Sequence, residues 1–152
     1  MKLEKALAFN PNFAIGHYLL AIALCYLGRG EEALAHSDHA VRLSPRDLWA
    51  GGSIGISNQV HSLASWAAGR YCAGIEFARK AIIESPNLAP AHRLLVMNCA
   101  LAGEIEEARA ALQSLKRLVP EFSRKWIEEA SPWVLDEDRQ RHIEAFRLAG
   151  LE

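Results

Sequence analysis

Long apolar runs are missing from this sequence. The longest, YLLAIALCYLG from Tyr18 to Gly28, is too short to cross a bilayer. The opening MKLEKALAFNP is charged and lacks the apolar core of a signal peptide. Cysteine is scarce: Cys25, Cys72 and Cys99 are scattered, odd in number, and form no CxxC. That argues against a disulfide framework or a thiolate zinc site and fits a reducing compartment, the cytoplasm. An excess of charge is absent as well, with 17 basic residues against 18 acidic and a net charge of −1. Nucleic acid and anionic membrane need clustered Lys and Arg, so neither is an expected partner. What the chain does have is apolar content, 51% of 152 residues, enough for the core of one domain.

It also has a rhythm. Prolines stand at 11, 45, 86 and 120, and a glycine followed by a helical pattern stands at 28, 69 and 103. The alternating Pro–Gly steps are 17, 17, 24, 17, 17 and 17 residues. A period of 34 split evenly is the signature of a helix–turn–helix repeat. Each half carries a helix. In the first, Phe13, His17, Leu20, Leu24 and Leu27 recur at helical spacing, with Asn12 as N-cap. In the next, Glu31 and Glu32 open the helix and Arg42 closes it, complementing its dipole. The third unit repeats the plan, with Glu104, Glu106 and Glu107 at one end of its second helix and Lys116 and Arg117 at the other. Small residues recur where two helices must approach: Ala21, Ala33, Ser62, Gly74 and Ala108.

These residues resemble the tetratricopeptide repeat (TPR) family. The first repeat supplies His17, Leu20, Ala21, Leu24, Ala33, Ser37, Ala40 and Pro45. The third supplies His92, Leu95, Val96, Cys99, Ala108, Leu112, Leu115 and Pro120. The middle one is degenerate, with Ser62, Ser65, Gly74, Ala78, Ala81 and Pro86. His, Ser and Cys stand where the family usually has aromatic residues. The resemblance implies an all-α, right-handed superhelical solenoid: the second helix of a truncated repeat over 1–11, then repeats over 12–45, 46–86 and 87–120. A partial repeat and a capping helix follow over 121–152. In that last stretch Trp126 takes the large-residue position, Pro132 stops the helix, and Asp136 or Asp138 starts a closing helix with Ile143, Phe146 and Leu148 apolar and Gly150 past its end.

The missing first helix at the N-terminus implies either a fragment of a longer protein or an edge that takes a partner, such as a second copy. A weaker resemblance, carried by GRYCAGIEFARKAI, ESPNLAPAHRLL and RLAGLE, is to the C-terminal TPR region of bacterial class III adenylate cyclases and of some winged-helix regulators. It implies a regulatory or dimerisation module; no catalytic or DNA-binding motif of those proteins is present.

In TPR proteins the first helices line a concave groove. Transfer of the groove positions gives Tyr18, Ile22, Cys25 and Tyr26; then Ile56, Gln59, Leu63 and Trp66; then Arg93, Met97, Ala100 and Leu101. The family's clamp for peptide carboxyl termini uses Lys, Asn and Arg at such positions, and only Arg93 comes close. The resemblance thus implies a protein or peptide partner whose apolar or amphipathic segment lies in the groove. The competing reading is that the stripe is covered by the chain itself, for instance by the closing helix.

Catalytic signals are weak. His36 and His39 in HSDH lie one helical turn apart and could share a metal, but convergent further ligands are lacking, so a solvated convex face is expected. Cys25 and Cys99 read as small buried hydrophobes. GGSIG follows no strand and has no downstream GK[ST], which sets aside a phosphate loop. Neither an enzyme nor a cofactor is expected. The irregular 24-residue step holds seven surplus residues, two helical turns. Read backwards from Trp66, a stripe runs through Leu63, Gln59, Ile56, Gly52 and Trp49. This predicts a first helix starting near Asp47 and bringing Trp49 onto the groove face; the alternative is a loop over 46–53.

Overall fold

The computed structural model describes residues 1–45 and 56–152. The helix start near Asp47, the alternative loop and Trp49 lie outside the described residues. Within them the chain is helical throughout: α1 (Lys2–Phe9), α2 (Ala14–Tyr26), α3 (Gly30–Leu43), α4 (Ile56–Ala67), α5 (Tyr71–Glu84), α6 (Ala89–Ala102), α7 (Ile105–Leu118), α8 (Arg124–Glu129) and α9 (Asp136–Leu148). Consecutive helices pair as α2 with α3, α4 with α5 and α6 with α7, and each pair stacks on the next.

The periodic glycines end the first helix of each pair for a conformational reason. Gly28, Gly69 and Gly103 have φ of 77°, 75° and 87°, a left-handed backbone that a side chain resists. After each, the amide of the residue following the glycine reaches back to an orphan carbonyl: Arg29 to Leu24 (2.9 Å), Arg70 to Ser65 (2.8 Å), Glu104 to Cys99 (2.9 Å). This is the Schellman stop, and it reverses the chain for the second helix. At the prolines a different lock recurs. His17 Nε2–H donates to the Pro11 carbonyl (2.9 Å) and His92 Nε2–H to the Pro86 carbonyl (2.7 Å). The histidines that replace aromatic residues therefore tie α2 and α6 to the turns before them. Asn12 does not cap α2; Phe13 takes the N-cap place without a side-chain bond.

Small residues mark the closest approaches. A Cβ on Gly30 would collide with the backbone of Ala67 and Ala68, and one on Gly74 would collide with the Asn98 amide. Around Gly74, Ser62 Oγ donates to the Gly74 carbonyl (2.8 Å), and Asn98 Nδ2 donates to Ser62 Oγ (3.2 Å) and Leu94 O (3.0 Å). One buried polar node thus locks α4, α5 and α6 together. The core is the apolar interleaf between helix layers, with Ala21, Ala33, Ala40, Ala78 and Ala108 fully buried at the contact points.

The last two elements depart from the repeat. Ser123 caps α8, its Oγ accepting from the Trp126 amide (3.2 Å), and α8 ends before Pro132. The chain then turns back, and α9 packs on α6. It spans Asp136–Leu148 and is followed by Gly150 at φ 95°.

Candidate functional site

Six of the groove positions read from the sequence converge in one depression. Ile22 and Tyr26 of α2, Ile56, Gln59 and Leu63 of α4, and Arg93 of α6 line a concavity of about 200 Å³, joined by Val60, Pro90 and Leu94. Helical spacing brings them together: each first helix turns the same stripe toward the inside of the curve. A second concavity, of about 210 Å³, lies against Pro90, Arg93, Leu115, Val119, Phe122 and Trp126. The two share Pro90 and Arg93, so the trough continues past α6.

The other described groove positions line neither concavity. Trp66, Met97, Tyr18, Cys25 and Ala100 are buried. Leu101 is half-buried and lines neither concavity. Tyr18, Cys25 and Ala100 belong to the core between the helices, whereas Trp66 and Met97 lie under the returning chain. Trp133 packs on Trp66 (ring centroids 4.7 Å apart), on Tyr26 (5.1 Å) and on His142 (5.6 Å). The Val134 amide donates to the Tyr26 carbonyl (3.0 Å), and Leu135 fills the space over Gly28. The Arg141 guanidinium lies 4.1 Å over the Trp66 ring and donates to Tyr71 Oη (3.2 Å) and Asp138 Oδ1 (2.8 Å). The segment from Trp133 through α9 therefore plugs the groove over the C-terminal ends of α2 and α4, and the stretch near Ile22, Ile56 and Arg93 is left. The closing segment thus covers one half of the stripe, and the other half is an open concavity.

Under the plug sits a cavity of about 20 Å³ lined by Tyr26, Arg93, Met97, Ile127, Trp133 and His142, among others. His142 Nδ1 and Trp133 Nε1 are buried without a hydrogen-bond partner among the described residues. Burial, with a smaller contribution from the nearby Arg93 charge, pushes the His142 imidazole down to about 3. Arg93 itself is pushed below its ordinary value by burial.

No protein-family profile and no curated protein matches the chain. Solved structures do. PilW, a type IV pilus biogenesis factor, superimposes with a TM-score of 0.69 at 19% identity, covering 97% of this chain and 62% of that one. The chain thus spans about three-fifths of the PilW length. MamA 41-end from Desulfovibrio magneticus RS-1 superimposes with a TM-score of 0.65 at 20% identity, covering 97% and 79%. A further MamA structure gives 0.65 at 18% identity, covering 97% and 82%. Together with the 34-residue helix pairs these decide the architecture. The fold is that of the tetratricopeptide repeats.

Within this TPR frame the HSDH histidines are not a solvated face. His36 Nδ1 lies 3.0 Å from His17 Nδ1, and His39 meets the His17 ring edge-on, with centroids 4.5 Å apart. Because His17 Nε2 must carry a proton to donate to Pro11, its Nδ1 accepts from His36 in the neutral pair. Burial, then the neighbouring His17 and His39, lowers the basicity of His36. On the same helix Asp38 accepts from His61 Nε2 (3.1 Å), with Ser37 Oγ 2.8 Å from His61 Nδ1. Sequence reasoning missed this cluster because its members come from three helices with no shared periodicity. Among the described residues no group of three His, Cys, Asp or Glu could hold a metal ion. Cys25 and Cys99 are packed in the core, and burial pushes both thiols up to about 12. No helix of the described residues is long and apolar enough to cross a membrane.

Proposed function

We propose that this TPR chain is a non-catalytic interaction scaffold whose open half-groove takes an apolar or amphipathic segment of a partner protein. The observation that carries this reading is the concavity of about 200 Å³ walled by Ile22, Ile56, Val60 and Leu63, an apolar depression on a rigid helical scaffold. A helix laid there would bury its apolar stripe against three first helices at once. The PilW and MamA structures support the scaffold through the shared fold. Selection of peptides on the immobilised protein, followed by methyl NMR of the complex, tests it. Shifts should concentrate on Ile22, Ile56 and Leu63, and Ile22→Asp should abolish binding. Shifts confined to the outer helices, or binding untouched by Ile22→Asp, would overturn the reading.

A second reading, association through the N-terminal edge as in a dimerisation or regulatory module of a larger signalling protein, is favoured by Phe9. It stands 92% exposed on α1, near the 44% exposed Phe13. Light scattering over a concentration series should then show a dimer that Phe9→Glu dissociates; a monomer throughout would remove this reading.

A further inference from the structure

Arg93 sits where the two concavities meet and lines both of them. Its surroundings are mostly apolar: Ile22, Leu63 and Leu94 on one side, where Tyr26 and Gln59 are the other polar groups, and Leu115, Val119 and Trp126 on the other. Among the described arginines, Arg42, Arg93 and Arg117 have no ion pair. Of those three only Arg93 has a guanidinium nitrogen, Nε, that is buried and without a hydrogen-bond partner. The surface arginines take nearby carboxylates instead, as Arg79 does with Glu107 at 2.6 Å. The Arg93 side chain is half-buried, with Nε sealed off and its terminal nitrogens toward the trough. A partly desolvated guanidinium without a counter-ion costs free energy, and proteins accept such costs where a ligand supplies the missing charge.

We propose that the partner segment is a helix carrying one internal carboxylate, with an apolar side chain one turn before it and another one turn after. The carboxylate would pair with Arg93, and the flanking apolar groups would enter the two concavities. The helical spacing follows from the trough. The two apolar basins abut at a single cation, and positions one turn apart on a helix face lie about 5–6 Å from each other, on one side. An Arg–carboxylate pair between two apolar basins also fixes register, which a uniform apolar stripe leaves free. Acidic residues from this chain do not line either basin among the described residues, so charge complementarity must come from outside.

This inference rests on the groove reading, and its test separates the two. The probes are synthetic helical peptides, acetylated and amidated so that no terminal charge is present, with Leu, Glu and Leu one turn apart, and a twin with Gln for Glu. The wild-type protein should bind the Glu peptide at least tenfold more tightly than the Gln peptide. Arg93→Met, which keeps the apolar stem, should bind the two equally, and circular dichroism should show it folded. Equal binding of both peptides by the wild type in the groove would overturn the carboxylate proposal and leave the groove reading intact. Discrimination that survives in Arg93→Met would overturn it too. Failure of both peptides to shift Ile22 and Ile56 would overturn both.

Discussion

Trp133 packs at a tilt on Trp66 with ring centroids 4.7 Å apart, although 66 residues separate them in sequence. This contact joins the returning C-terminal segment to the second repeat and decides how much of the groove stays open. Truncation of Trp133 would leave a cavity against Tyr26, Trp66 and His142. Trp133→Ala should therefore cost about 3–5 kcal/mol, read as a fall in the urea midpoint. A change under about 1 kcal/mol would mean the segment is not docked there.

Stability should fall in acid because of His142. Its folded-state value is about 3, well below the ordinary 6.5, since burial among Trp66, Trp133 and Phe146 disfavours the cation. The neutral folded form is thus favoured, and this stability is complete above about pH 6.5. It is lost as pH falls from there toward about 3, because the unfolded chain takes up the proton first, at up to about 1.4 kcal/mol per pH unit. His36, lowered in the same direction, acts in the same sense. His142→Phe should flatten the decline in thermal midpoint between pH 6.5 and 4; an unchanged slope would place the acid sensitivity elsewhere.

The node at Gly74 makes a coupled prediction. Gly74→Ala forces a methyl into the Asn98 amide and should cost about 1–3 kcal/mol by overpacking. In an Asn98→Ala background the same change should cost distinctly less, a coupling measurable by a double-mutant cycle. Additive costs would show that the two residues do not press on each other.

The histidine locks separate hydrogen bonding from packing. His92→Phe keeps a ring at that place but leaves the Pro86 carbonyl without its donor. Chemical denaturation should show a loss of about 1 kcal/mol, and His92→Ala a larger one. If Phe is neutral, the ring alone holds the turn.

The repeat was legible in the sequence because its punctuation is conformational. A left-handed backbone selects glycine at 28, 69 and 103, and such a requirement shows as spacing. Half the groove was legible for a related reason: helical periodicity states which face Ile22, Ile56, Leu63 and Arg93 share. It does not state what lies over that face. Trp66 and Met97 share the stripe and are covered by residues from 133 onward, and that return follows no period. The pairing of His17 with His36 was equally hidden, since it depends on how two antiparallel helices are set against each other rather than on either helix alone.

A partner segment lying in the open half-groove must pass close to position 22. Site-specific photocrosslinking tests it directly, with a benzophenone amino acid placed at position 22 in the groove or at position 83, where Ile83 is 79% exposed on α5. With a selected peptide partner, crosslinks should form from position 22 and be absent from position 83. Crosslinks from 83 with none from 22 would contradict the account.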